Sequence, residues 1–556
     1  MFEATRPNRS KVAVIHGKDS LKLEPFGGCR NHGCIGDAQG QIAVLQDQIP
    51  ATNHCRSSKL DLSYAMPCQD QENIMRTGAH YLESLHDGRH VVIDGEVVKS
   101  VASHPAFSGV CKTMAELYDC VSAERGVMAY PSPADAAPVA VGHMIPRSLD
   151  DLRRRRIGLA RLADCTFGLL GRGPEHVASF FAGCASAPDL FAKKDRRFGE
   201  NVKRFHAKIR DEHLFATYTI VQPQIDRSRP AHAQEESHLA AGVFKERDDG
   251  IIIRGAQMLG TAAAISDYLF LSCIQPLKPG DEDYAISLAV PLNAPGLRLY
   301  ARRGYAVGQP SVFDYPLSTR FDESDALVVF RDVFVPWEQV FVYRDVELAR
   351  GQFFQTPAHI LGNTQAQIRL ASKLKFLTGL AARIAQTNGV DKMPAVQWQL
   401  GELASLAAVV EGMVLAAESA AVTDARGVVH PHPRFLYGAM GLQSQLYPRA
   451  IQIVRELAGG GFLQVPSSMH EFANPETAPD IRRHVQSPGV PAEERVKLFK
   501  LAWDMVGSEF AGRHQQYEIF YAGAPFVVKG YAYQNYDFAE ALALVQRCLD
   551  GYGLDS

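Results

Sequence analysis

The sequence predicts an α+β multidomain protein in which a β-module is set between two helical modules, and three observations carry this. Between residues 215 and 337 short apolar runs recur, at 251–254, 268–274, 284–290, 326–330 and 333–335. Turn chemistry bounds them at Asp248-Asp249-Gly250, Pro279-Gly280-Asp281 and Asn293-Ala294-Pro295-Gly296, the spacing of hairpins in a compact barrel or sandwich. After Trp337 the strand pattern stops and apolar residues return at helical spacing.

The bulk numbers agree with that plan. A chain of 556 residues is long for one core, so two or three domains are expected. With 46% hydrophobic and 21% charged residues the composition is that of a globular protein. A formal charge of -3 gives no reason to expect nucleic acid or an acidic membrane as partner. No apolar run looks long enough for a membrane span, and no secretory h-region opens the chain. The ten cysteines lack a disulfide-scaffold spacing and read as reduced cytoplasmic thiols.

Taken in order, residues 1–74 show no sustained period and read as a poorly ordered extension. Cys29, His32 and Cys34, with Cys55 and Cys68 farther along, offer zinc ligands, but no second tight pair completes a site, so no metal is expected. From Arg76 a helical domain is expected over 75–214. It holds a short helix at 81–85, a hairpin at Ile93-Asp94-Gly95-Glu96, a helix around 113–118, and a helix N-capped by Ser148 that runs towards Cys165. The basic run 153–156 on that helix reads as a solvated face, with phosphate or partner binding as the alternative.

Gly171-Arg172-Gly173-Pro174 closes one helix and opens the next. Arg172 is either a plain loop cation or an anchor for an anionic oxygen. The β-module, expected over 215–345, begins in an extended segment broken at Gln222-Pro223-Gln224, whose free amide groups suit a planar heterocycle. Small residues over 254–262 mark either a β-corner or a place where a flat ligand approaches the backbone. Over 346–556 a helical bundle is expected, with helices at 368–387, 395–421, 450–457 and 492–521. Gly459-Gly460-Gly461 reads as a helix C-cap or, less simply, a phosphate cradle. There is no G-x-G-x-x-G opening a helix, no Walker loop and no H-E-x-x-H, so a redox enzyme of this sequence would take its electrons from elsewhere.

From about Arg76 to Phe538 the sequence resembles the flavin-dependent 4-hydroxyphenylacetate 3-monooxygenase and chlorophenol monooxygenase family. The matching stretches include Arg76-Thr77-Gly78, His104-Pro105, the run 166–174, Pro223-Gln224, Arg254-Gly255-Ala256 and Tyr315-Pro316-Leu317-Ser318-Thr319-Arg320-Phe321-Asp322-Glu323. They continue through Asp332-Val333-Phe334-Val335-Pro336-Trp337-Glu338, Tyr447-Pro448-Arg449 and Leu501-Ala502-Trp503-Asp504-Met505. The resemblance implies an acyl-CoA dehydrogenase-like fold: an N-terminal helical domain, a central β-barrel and a C-terminal helical bundle, assembled as a homotetramer. It also implies reduced FAD as a diffusible co-substrate, O2, a separate NAD(P)H-dependent flavin reductase, and hydroxylation of a phenol, ortho to its hydroxyl, through a flavin C4a-hydroperoxide.

By position, Gln224 and Thr261 match flavin contacts on the barrel, Arg449 and Gly459, Gly460 and Gly461 fall where the bundle meets the cofactor, and Arg172 matches an arginine beside flavin and phenol. Two positions depart from the pattern. His176 stands where the 4-hydroxyphenylacetate enzymes have tyrosine, and Tyr218 where they have histidine. A histidine of the chlorophenol enzymes corresponds to Thr364. The expected catalytic set is therefore Arg172 holding the phenolate, His176 as base with an unperturbed pKa near about 6.5, and Tyr218 sharing its hydrogen bond. The family also resembles an iron-sulfur dehydratase, but Cys165 is the only cysteine near the first ligand pair and none lies near His359. An acyl-CoA dehydrogenase-like oxidase and a non-catalytic flavin-binding protein remain as alternatives.

Overall fold

A computed structural model describes residues 75–308 and 311–553; the expected N-terminal extension and its cysteines lie outside them. Helices α1 (Gly78–Ser84), α2 (Ser108–Ala123), α3 (Leu149–Cys165), α4 (Pro174–Ala185) and α5 (Arg196–Asp211) precede the main strands. Ser148 caps the start of α3 in a reciprocal capping box with Asp151, and Pro174 occupies the first turn of α4, so the start of each helix is fixed by local chemistry. The hairpin β1 (Val91–Ile93) and β2 (Glu96–Val97) turns on Asp94 and Gly95, both at positive φ.

Two sheets follow. The larger runs β2-β1-β8-β9-β5-β4, with β4 Gly242–Arg247, β5 Gly250–Gln257, β8 Leu297–Ala301 and β9 Ala326–Pro336. The smaller runs β10-β7-β6-β3, with β3 Ala216–Thr219, β6 Tyr268–Leu271, β7 Ser287–Pro291 and β10 Val340–Val342. The runs 326–330 and 333–335 are one strand, not two. Its register slips between Phe330 and Val333, where Asp332 takes φ 56°, and that bulge interrupts the apolar pattern. The hairpin β1-β2 joins this sheet through β1, which pairs in parallel with β8. At Gly255, φ 105°, the close neighbour is the backbone carbonyl of Ala240, just ahead of β4, as the corner reading requires.

β3 shows how the strands aim the chemistry. Thr217 and Thr219 face one way and donate their hydroxyls to the carbonyls of Thr261 and Met258. Tyr218 faces the other way, edge-on to Phe180 of α4. Behind α4, Phe181 packs on Phe205 and Phe270 with ring centroids 4.9 Å apart in each pair. Those edge-to-face contacts lock α4 against the smaller sheet.

The C-terminal half carries α6 (Ala358–Thr387), α7 (Pro394–Ser419), α8 (Pro433–Ala458), α9 (Ala492–Val506), α10 (Glu509–Phe520), α11 (Pro525–Gln534) and α12 (Phe538–Leu549). Three expectations need correction. The helix expected over 492–521 is two helices, because Gly507 ends α9 and Ser508 caps α10 by accepting from the Ala511 N–H. The basic run of α3 is a solvated face only at Arg153 and Arg154: Arg155 is buried and donates to the carbonyls of Val141, Gly142 and Met144, and the half-buried Arg156 pairs with Glu418 of α7. These arginines dock α3. Finally, α7 is long and apolar enough to cross a membrane by length and composition, with 22% of that stretch buried. Its alanines and valines are spread between isolated glutamates, so it does not read as one run.

Candidate active site

The loop between α3 and α4 delivers Arg172. Its backbone N–H donates to Glu323 Oε1 at 2.6 Å, and its Nη1 donates to the Tyr517 hydroxyl at 2.6 Å. The guanidinium carbon lies 5.0, 5.2 and 4.7 Å from the ring centroids of Tyr218, Tyr517 and Tyr521. The result is a buried cation inside three phenol rings. Burial alone would lower its pKa, but the surrounding tyrosine oxygens and Glu323 raise it above the ordinary value, so it stays charged.

One turn into α4, His176 is fully buried. Its Nε2 lies 3.3 Å from the Tyr218 hydroxyl and its Nδ1 2.9 Å from Gln365 Oε1 of α6. Burial, and then the nearby Arg172 charge, push its pKa well below the usual histidine range. The expectation of an unperturbed imidazole is therefore corrected: the resting ring is neutral. Arg172, His176 and Tyr218 come together in one buried cluster.

Tyr517 and Tyr521 were missed. Tyr517 lies in the last turn of α10 and Tyr521 is its C-cap residue, and the Gly507-Ser508 break gives that helix a direction of its own. The available signal was the aromatic pair at i, i+4 just before Gly523. Beneath them lies a buried group of charges. Arg369 and Lys373 of α6 both donate to Glu518, at 2.7 and 2.6 Å, and Gln443 of α8 donates to its other oxygen.

The cofactor candidates are less tightly grouped. Thr261 is buried and donates to Asp325, which pairs with Arg513, which in turn pairs with Glu323 under the Arg172 backbone. A chain of charged bonds thus joins Thr261 to the arginine loop. Gln224 lines a cleft of about 670 Å³ together with Gln222, Arg227, Lys278, Arg350 and Gly523. That volume is within the range of small-molecule sites, roughly 300–1,000 Å³. The Gln222 amide nitrogen is buried there without a hydrogen-bond partner. An orphaned amide with cations around it fits a ligand carrying a heterocycle and phosphates. The cleft opens beside the site, since Ala522 and Gly523 line it and directly follow Tyr521.

Arg449 stands apart from this cleft, on α8, gripping Glu402 of α7 in a two-pronged ion pair. Gly459, at φ 52°, ends α8, and Gly461 lies against Phe499 where any side chain would collide. Among the described residues no group of three His, Cys, Asp or Glu side chains is placed to hold a metal ion.

Residues 77–342 match the model described as 4-hydroxyphenylacetate 3-hydroxylase N terminal, and residues 349–550 match its C-terminal counterpart. The 4-hydroxyphenylacetate 3-monooxygenase oxygenase component of Geobacillus sp. (strain PA-9) is 32% identical over 461 residues, covering 82% of this chain and 93% of that protein. A monooxygenase of Streptomyces globisporus, named for a 3-chloro-4-hydroxyphenyl β-amino acyl group on a peptidyl carrier protein, is 34% identical over 500 residues, covering 86% and 92%. Among solved structures, the oxygenase component complexed with FAD and 4-hydroxyphenylacetate superposes with a TM-score of 0.81 at 32% identity, over 86% of this chain and 98% of that one. With the helix-sheet-helix plan and the two family models spanning nearly all of the described chain, the protein belongs to the 4-hydroxyphenylacetate 3-hydroxylase family.

Proposed function

We propose that the protein is the oxygenase component of a two-component monooxygenase that hydroxylates a phenol ortho to its hydroxyl, using reduced FAD and O2. The observation that carries this reading is a permanently charged guanidinium held among three phenol rings beside a neutral imidazole, next to a cofactor-sized cleft. Gln222, Gln224 and the cations of the cleft would hold FAD, with Thr261 bracing the wall and Arg172 at the end nearest the substrate. When bound in reduced form, FAD would supply the electrons that activate O2.

The chain's own residues handle the phenol. Arg172 holds the substrate oxygen and favours its ionised form, which makes the ortho carbon more nucleophilic. Tyr218 shares a hydrogen bond with that oxygen, and His176 Nε2 accepts the proton. The imidazole is a weak base while Arg172 is uncompensated. Burial still disfavours a second proton on His176, but a phenolate forming beside the guanidinium offsets the Arg172 contribution, so proton acceptance becomes less unfavourable as the substrate ionises. The rings of Tyr517 and Tyr521 keep water away from the oxygen.

An acyl-CoA dehydrogenase-like oxidation is the weaker reading, because it needs an uncommitted carboxylate facing the cofactor. The nearest carboxylates are engaged: Glu323 by Arg172 and Arg513, Glu518 by Arg369 and Lys373, and Glu175 by Gln365. The deciding assay mixes the protein with FAD, NADH and a generic flavin reductase, then screens phenols for a hydroxylated product by mass spectrometry. Product formed from no phenol, free or carrier-tethered, would leave only a flavin-binding role. In the same assay His176→Ala should slow hydroxylation roughly 10²-fold while oxidation of reduced FAD by O2 continues, with hydrogen peroxide replacing product.

The reading includes a separate NAD(P)H-dependent flavin reductase, a cytoplasmic setting in which reduced FAD can pass between the two, and a homotetramer. It also keeps the division into domains at 75–214, 215–345 and 346–556, supported by the change from helices to strands and back. The tetramer is supported by the faces left open on the C-terminal helices: Trp398 on α7 is 84% exposed, and Leu542, Leu544 and Val545 of α12 are also exposed. Light scattering on the purified protein should give four chains. Trp398→Glu should shift the population to smaller species, and an unchanged tetramer would remove α7 from the interface.

A further inference from the structure

The hydrogen bonds around His176 continue away from Tyr218 through Gln365 to Glu175. Glu175, the neighbour of His176 on α4, accepts from Gln365 Nε2 at 2.9 Å through its Oε1. Gln365 Oε1 lies 2.9 Å from His176 Nδ1, and His176 Nε2 faces the Tyr218 hydroxyl. Glu175, Gln365 and His176 are all buried, so no bulk water competes for these bonds.

An amide has one donor end and one acceptor end. If Gln365 turned over, its carbonyl oxygen would face the Glu175 carboxylate, and two acceptors would meet in a buried place. The carboxylate therefore sets the amide, and the amide presents its oxygen to Nδ1. A neutral imidazole carries one ring proton, and an acceptor opposite Nδ1 draws it there. The Tyr521 hydroxyl, 3.3 Å from the same nitrogen, is a longer second contact.

We infer that Glu175 and Gln365 are positioning residues that hold His176 as the Nδ1–H tautomer, leaving the Nε2 lone pair aimed at Tyr218 and the substrate hydroxyl. This rests on the reading of His176 as the proton acceptor. It adds two residues that touch neither substrate nor cofactor yet decide which nitrogen is basic.

The charged groups facing this chain act on it from several sides. Burial pushes Glu175 up to about 7, with Glu323 adding to the rise, while its own backbone N–H, the Gln365 amide and Arg369 oppose it. Arg172 and Arg369 both disfavour a second proton on His176. From the far side, Arg76, Tyr118, His143 and His213 share a small cavity with Glu175. Protonation of Glu175 on Oε2, which has no partner, leaves Oε1 free to accept from Gln365, so the amide keeps its direction in either charge state.

The test is magic-angle-spinning ¹⁵N spectroscopy of histidine-labelled full-length protein, with His176→Gln assigning the signal. The wild type should show His176 with a protonated Nδ1 and a bare Nε2. Gln365→Met should remove the preference and lower kcat roughly 10–10²-fold with little change in KM. The double variant Glu175→Gln/Gln365→Glu exchanges the amide and the carboxylate. It should restore the Nδ1–H tautomer and move the acidic limb of the kcat/KM profile to higher pH, since a carboxylate then faces the imidazole. A wild-type ring protonated on Nε2, or a tautomer unchanged in Gln365→Met, would overturn the inference. The base role fails separately, if the tautomer is as stated but His176→Gln hydroxylates at the wild-type rate.

Discussion

Replacing Glu518 with alanine is expected to cost about 3–5 kcal/mol of unfolding free energy, or to abolish soluble protein, because it strands two cations in the bundle. Arg369, Lys373 and Glu518 are all fully buried, and one carboxylate serves both bases. Burial alone would raise the pKa of Glu518, yet Arg369 and Lys373 hold it down to about 2. Burial lowers Lys373 to about 8, against the partial compensation of Glu518. The two directions look inconsistent for one ion pair but follow from the count: the anion has two partners and the lysine shares its only one. His514, pushed well below its usual range by burial and by Lys373, adds no charge.

The pH dependence follows from the sign of the Glu518 shift. A carboxyl with a depressed native pKa stabilises fully above its unfolded value, near 4.5, and loses that contribution as pH falls through about 2. Urea unfolding of wild type and Glu518→Gln should therefore differ most above about pH 5 and converge in strong acid. A gap that stayed constant down to pH 2 would contradict the ionised assignment.

Replacing Arg172 with methionine is expected to lower kcat/KM for phenol hydroxylation by roughly 10³-fold, and Arg172→Lys is expected to rescue little of it. Loss of one preorganised charge donor costs on the order of 10²–10³ in rate. Here the same residue also orders Tyr218, Tyr517 and Tyr521, so its removal reaches further. Lysine keeps the charge but lacks the planar fork that donates to Tyr517 while lying among three rings. Steady-state rates with intrinsic fluorescence as a folding control are the measurement. Near-wild-type turnover in Arg172→Lys would show that charge alone suffices.

Much of the architecture was legible because periodicity and caps are local signals. Ser148, Pro174 and the Asp94-Gly95 turn mark their elements where the structure has them. What failed did so for physical reasons. Pro448 lies inside α8, so a helix of 26 residues reads as the short piece that follows the proline. The first turns of α6 carry buried His359, Asn363 and Gln365, so the apolar stripe begins well after the helix does. At the site, Arg172 was visible because it sits between two glycines ahead of a capped helix, and His176 only through the family resemblance. Gln365, Tyr517 and Tyr521 were not, since each comes from a distant helix and only tertiary packing brings it in.

That distance has a consequence for synthesis. Arg172 and its hydrogen-bond partner Tyr517 are 345 positions apart in the chain. A growing polypeptide can fold its early helices and both sheets, yet the cation stays open to solvent until the ribosome has released the segment that follows Gly507. Chains cut between Glu518 and Tyr521 would keep the buried ion cluster and much of the scaffold yet lack part of the wall that shields the reactive end, so limited C-terminal trimming should separate a folded body from a competent one.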